Sequence, residues 1–209
     1  MVEISENRKK RFSEVASHRQ LDLTVLLENV HDPHNIGAVM RSCDSVGIDE
    51  IYILYTDPKL IGRGFKPSHG TSTGINNWVD VHYFTELESC VQKIKTKYKR
   101  LVGTLIDHTC KSLYDTDLAS SLAIAFGNEK DGISKELAEK LDDNLVIPQV
   151  GFAQSLNISV ACAVTLYEAF RQRKILGKYN AQQSDHISSR FVHLHESKKL
   201  RKGNKRSLF

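Results

Sequence analysis

Cysteine is scarce and scattered in this 209-residue sequence: Cys43, Cys90, Cys110 and Cys162 stand far apart and form no CxxC pair. That argues against a disulfide framework or a cysteine zinc site and fits a reduced, cytoplasmic setting. Long apolar runs are also missing, and nothing approaches the roughly 18 residues that a membrane span needs. The opening "MVEISENRKKRF" carries charge without an apolar core, so it does not read as a secretory signal. Neither a GxGxxG stretch nor a Walker lysine motif occurs, which removes the familiar nucleotide signatures and speaks against a small-molecule oxidoreductase. His31 and His34 hint at a metal pair. Pro33 between them spoils helical i, i+3 geometry and no third ligand is evident, so no metal is expected.

What is present suits one globular domain with appended ends: 40% hydrophobic and 26% charged residues over a length that can bury a core. The net charge of +4 is concentrated at the ends. "RKKR" occupies 8–11, and from Arg171 onward "RQRK" and "ESKKLRKGNKR" are opposed only by Asp185 and Glu196. Such runs are either solvated surface or a nucleic-acid-binding extension, since clustered Lys and Arg displace counterions from a phosphate backbone. The chain therefore divides into a basic helical extension (1–20), a central domain (21–177) and a basic tail (178–209).

Within the central part, "LTVLLENV", "DEIYILY", "WVDVHYF", "RLVGTLI", "SLAIAFG" and "NLVIP" read as strands, several of them continuously apolar as if buried on both faces. Helical patterns alternate with them, over "HDPHNIGAVMRSCDSVGI", "ELESCVQKIKTKYK", "DGISKELAEKLD" and a last core helix from Ile158. Alternation of this kind predicts an α/β fold with a largely parallel sheet. The Gly-, Ser- and Thr-rich stretch 62–77 reads as a long functional loop.

Three polar clusters fall at predicted strand ends, where open parallel sheets bind ligands. In "NIGAVMR", Ile36, Val39, Met40 and Cys43 form the core stripe of a helix, and Arg41 points away from it. Arg41 is either an ordinary exposed arginine or one that meets a partner. In "AFGNEKDGIS" a strand ends at Gly127, with Asn128 and Glu129 in the turn before a helix near Ser134. In "GFAQSLNISVACAV" a helix built for burial opens on Ser155, Asn157 and Ser159, more hydrogen-bonding capacity than one N-cap uses. Ser155 lacks a nucleophile-elbow context, so it does not suggest a hydrolase triad.

Taken in order and spacing, these clusters resemble the three motifs of the SpoU/TrmH family of S-adenosylmethionine (AdoMet)-dependent RNA 2′-O-ribose methyltransferases. "NIGAVMR" is similar to N-x-G-x-x-x-R, "GNEKDGI" to G-x-E-x-x-G-I/L, and "IPQVGFAQSLNISVA" to I-P-x-x-G-x-x-x-S-L-N-V-S-x-A, departing at Gln149 and Ile158. The resemblance runs from about Leu21 to Arg173 and is strongest to the tRNA (guanosine-18) branch. It implies a SPOUT fold with a deep C-terminal trefoil knot, where sequence reasoning by itself would choose an unknotted sheet. It implies a homodimer, which the apolar helix after Leu156 also favours. It implies AdoMet held by Thr104, Leu105, Gly127, Asn128, Ile147, Leu156, Asn157 and Ser159, with S-adenosylhomocysteine as product. It implies Arg41 as the catalytic arginine, with Asn35, Glu129, Ser155 and Asn157 shaping the ribose site. A guanidinium keeps its proton, so Arg41 is expected to hold a substrate phosphate while a phosphate oxygen or water accepts the ribose proton. The expected substrate is the tRNA D-loop guanosine at position 18; the alternatives are rRNA, another tRNA position, or a non-catalytic RNA-binding factor on the same scaffold.

Overall fold

The computed structural model describes residues 4–61, 78–106, 110–180 and 185–206, with side chains described as far as residue 197. The loop expected at 62–77 lies outside these residues. Two compact units emerge, one formed by residues 20–178 and the other by residues 1–19 together with 179–209.

The larger unit is built on a seven-stranded parallel sheet. Its strands are β1 (Leu23–Glu28), β2 (Glu50–Leu54), β3 (Asp80–Phe84), β4 (Arg100–Thr104), β5 (Lys111–Ser112), β6 (Leu122–Phe126) and β7 (Asp143–Val146). They lie in the order β3-β2-β1-β6-β4-β7-β5. The apolar runs explain the centre: every residue of β1 and β6 is buried, because both faces of those strands are covered. Period-two alternation divides β1 between the faces. Leu23, Val25 and Leu27 join a core with Ile36, Val39, Met40 and Cys43 of α2 (Pro33–Ser45) and Ile158, Cys162, Leu166 and Ala169 of α5 (Ile158–Ile175). Leu26 faces the opposite core, with Cys90, Val91 and Ile94 of α3 (Leu87–Lys95) and Leu137 of α4 (Lys135–Ala138).

The helix expected over "DGISKELAEKLD" shrinks to α4, one turn. Its start is fixed by the buried Glu28 carboxylate, which accepts from Ser134 N at 2.8 Å and Ser134 Oγ at 2.5 Å. Its end comes early because Asp142 exchanges hydrogen bonds with the backbone of Leu101, at 2.8 Å each way, and so draws the chain into β7. β5, two residues long, was not expected from the sequence.

α5 also departs from its expected all-apolar surface. Glu168 and Arg173 are buried, whereas Val160 and Tyr167 are 47% and 53% exposed. Arg173 is fully enclosed. Its guanidinium donates to Gln20 Oε1 at 2.9 Å and to the carbonyls of Ala119 at 3.1 Å and Ser120 at 3.0 Å, and it pairs with Asp22, which Lys178 also reaches at 2.7 Å. Arg171 pairs with Glu168 at 2.7 Å. Within the basic run, Arg173 thus fastens α5 to the amino end of the sheet, while Arg171 pairs inside the helix.

In the smaller unit, α1 (Glu6–Ser17) buries Phe12 and Ala16, and Phe12 meets Phe191 and His195 of α6 (Asp185–Arg206) with ring centroids 6.1 and 5.9 Å apart. The sequence sets the two ends apart as separate extensions; the structure groups them. Lys10 and its neighbours in "RKKR" face solvent, where the Lys9–Glu6 and Arg11–Glu14 pairs contribute little. Among the described residues no helix is long and apolar enough to cross a membrane.

Candidate functional site

A cavity of about 350 Å³ opens where the chain leaves the carboxyl ends of β4, β6 and β7. That volume falls within the range of small-molecule sites, roughly 300–1,000 Å³. Each strand end contributes a wall: Thr104, Leu105 and Ile106 after β4; Phe126 through Ile133 after β6; Val146, Ile147 and Gln149 after β7. Ser155, Leu156, Ile158 and Ala161, from the approach to α5 and its first turn, complete the lining.

Local chemistry shapes these walls. Thr104 Oγ1 donates to Ala125 O at 3.1 Å, and Leu105 N to Leu145 O at 2.9 Å, so both residues are tied to neighbouring strands. The turn after β6 is held by Asn128, whose Oδ1 accepts from the backbone N–H groups of Lys130 at 2.9 Å and Asp131 at 2.8 Å. Gly132 takes φ +69° there, and a Cβ on Gly127 would lie 1.9 Å from Gly132 C. The turn therefore needs glycine at 127 for space and at 132 for conformation.

The first cluster joins the other two through side chains. Asp32 caps α2 by accepting from His34 N at 2.8 Å, with Pro33 in the first turn, and this places Asn35 beside the turn after β6. Asn35 Nδ2 donates to Glu129 Oε1. Asn157 Nδ2 donates to Asn35 Oδ1 at 3.1 Å, and Asn157 Oδ1 caps α5 by accepting from Ser159 N at 2.8 Å and Ser159 Oγ at 2.6 Å. Residues 94 and 122 positions apart in sequence are thereby linked.

Of the residues singled out from sequence, Thr104, Leu105, Gly127, Asn128, Glu129, Ile147, Ser155 and Leu156 line the cavity. Asn35, Asn157 and Ser159 stand beside it in the hydrogen-bonded chain. Arg41 is exposed on α2 and does not line the cavity. Gly37, one turn before Arg41, is buried within the subunit. Sequence reasoning missed Ile106, Phe126, Lys130, Asp131, Ile133, Val146, Ile158 and Ala161 as lining residues. Most adjoin a recognised position, and adjacency to a strand end was the available signal.

Comparison with known proteins settles the family. The model of the SpoU rRNA Methylase family matches residues 22–167. The chain belongs to that family. It is 38% identical over 185 residues to the tRNA (guanosine(18)-2′-O)-methyltransferase of Thermus thermophilus, covering 88% of this chain and 93% of that one. It is 33% identical to the Escherichia coli enzyme of the same name, covering 87% and 77%. Among solved structures, the Aquifex aeolicus TrmH/SpoU tRNA modifying enzyme superposes with a TM-score of 0.80 at 32% identity over 92% of this chain and 97% of that one. AviRb of Streptomyces viridochromogenes, a SpoU methyltransferase solved with AdoMet, gives 0.64 at 26% identity over 75% and 62%.

Proposed function

We propose that the chain transfers a methyl group from AdoMet to the ribose 2′-OH of guanosine 18 in tRNA. The observation that carries this reading is the Glu129–Asn35–Asn157 connection, which links the three methyltransferase motifs beside one cavity. The guanosine-18 relatives support the substrate, because they align over most of both chains.

The cavity fits AdoMet in kind. Leu105, Phe126, Ile147 and Leu156 offer apolar walls for a flat adenine, while Gln149 and Ser155 offer polar groups for the remainder. Bound there, AdoMet supplies a methyl group on a sulfonium, so the protein's task is alignment and proton removal. The guanidinium fork of Arg41 suits a phosphate of the RNA next to the modified ribose. Arg41→Lys should lower turnover at saturating tRNA on the order of 10²-fold, the penalty of misalignment; full turnover would remove any geometric role for the fork.

The wider reading includes a second copy and a knot. Val160, Ala163, Val164 and Tyr167 repeat at helical spacing, and the two exposed ends of that face on α5 suit a homodimer. Insertion of β7 between β4 and β5, both earlier in the chain, supports a C-terminal threading of the trefoil type. The exposed basic residues of α1 support tRNA binding by the terminal unit. Incubation with labelled AdoMet and mapping of 2′-O-methyl groups tests the function directly. Label at G18 of tRNA is expected; label in rRNA alone would overturn the substrate, and no label in either would overturn the reaction.

A further inference from the structure

The direction of every hydrogen bond between α5 and Glu129 is fixed, because the series begins at a backbone N–H. Ser159 N can only donate, so the Asn157 atom 2.8 Å away is its carbonyl oxygen. Asn157 Nδ2 then faces Asn35, which makes the receiving atom Asn35 Oδ1 and leaves Asn35 Nδ2 to donate to Glu129. Neither amide can flip without setting donor against donor or acceptor against acceptor. Glu129 Oε1 is consequently an acceptor whether the carboxyl group is charged or neutral. A proton can arrive only at Oε2, and its arrival leaves the bond to Asn35 intact. Among the described residues nothing else donates to Glu129, whose side chain is exposed at the cavity wall. Asp131 lines the same cavity, but no hydrogen bond among the described residues orients its carboxylate.

We infer that Glu129 Oε2 is the base that takes the ribose 2′-OH proton, an assignment that rests on the methyl-transfer reading above. In this step the ribose O2′ forms a bond to the methyl carbon. The carbon–sulfur bond breaks, and its electron pair stays on sulfur as the thioether. The O2′ proton passes to Glu129 Oε2 and is later released to water. Sulfonium and carboxylate lose their opposite charges together, and the side chain stays fastened through Oε1 throughout.

Glu129→Gln separates this role from a purely positional one, because glutamine still offers Asn35 an acceptor oxygen but cannot take the proton. The full chain is assayed with tRNA under single-turnover conditions, alongside calorimetric AdoMet binding and the NMR resonance of the Asn35 side-chain amide. Wild-type chain that fails to label G18 defeats the functional reading before the variant is considered. Given wild-type activity, E129Q should bind AdoMet and tRNA within about threefold and keep the Asn35 resonance, while its rate falls about 10²–10⁴-fold. The residual rate should climb about tenfold per pH unit as hydroxide substitutes for the base. A rate within about threefold of wild type overturns the proposal, since the carboxylate would then serve only to hold Asn35. So does loss of AdoMet affinity by about tenfold or more, which would make Glu129 a cofactor ligand.

Discussion

At the amino end of the sheet, Glu50 receives hydrogen bonds from Tyr52 at 2.7 Å and Tyr98 at 2.9 Å, with Lys97 at 3.0 Å and His82 at 3.1 Å completing its surroundings. At the carboxyl end, Glu129 receives one bond, from Asn35, and stands open at a cavity. Four side chains already surround Glu50, three of them at Oε1, so its cluster fastens neighbouring strands and the turn after α3. Burial separates two arginines in a similar way. Arg173 gives its guanidinium to groups of its own subunit, while Arg41 is exposed on α2. Hydrogen-bond saturation, more than residue type, distinguishes polar groups that hold this fold from those that can act on something else.

The strongest way to break that comparison is Arg173→Ala. Removing the guanidinium strands two carbonyls, Gln20 and Asp22 around an emptied site, and should cost about 3–5 kcal/mol in urea unfolding. At temperatures where the variant stays folded, tRNA affinity should remain within about threefold. A folded R173A chain that loses tRNA affinity by tenfold would return Arg173 to the RNA-binding surface.

Gly127→Ala comes next. The added methyl meets backbone atoms of residues 132 and 133 at 1.9–2.2 Å, so the turn must move, at about 1–3 kcal/mol and with at least about tenfold weaker AdoMet binding by calorimetry. Gly151→Ala in the neighbouring motif is the control. Nothing lies within 4 Å of its added methyl, and stability should stay within about 0.5 kcal/mol.

Glu50→Gln probes the closed cluster through pH. Burial pushes the Glu50 carboxyl up, but hydrogen bonds from His82, Tyr52, Lys97 and Tyr98 outweigh it and hold the group well below the usual carboxylate range. A carboxylate depressed in the folded state stabilises above its unfolded pKa, and that contribution disappears as pH falls. Wild type should exceed E50Q by about 1–2 kcal/mol at pH 7, and the gap should begin to narrow once pH falls below the ordinary carboxylate range, as measured by denaturant unfolding. A gap independent of pH would mean that shape, not charge, holds the cluster together.

These contrasts also mark what the sequence could and could not reveal. β1 and β6 were legible because burial on both faces forces an unbroken apolar run. β5 was not, since two residues carry no period. α4 was overextended because the Asp142–Leu101 exchange that ends it is tertiary. The burial of Arg173 on α5 was hidden for the same reason, its partners including Gln20 and Asp22, more than 150 positions away. At the site, individual polar residues stood out against their apolar surroundings. Their family roles came from motif resemblance, and the order of donors and acceptors among them required coordinates.

Ser159→Ala gives the smallest effect and the finest test of that order. Motif resemblance places Ser159 at the cofactor, whereas its hydroxyl donates at 2.6 Å to Asn157 Oδ1, the atom that caps α5. Alanine removes that donor but leaves the backbone N–H at 2.8 Å, so the cap and its connection to Asn35 persist. Stability should fall by about 0.5 kcal/mol, and AdoMet affinity should change by less than about twofold. A tenfold loss would show that the hydroxyl turns from Asn157 to the cofactor, and Ser159 would then belong with the open polar groups of the carboxyl end.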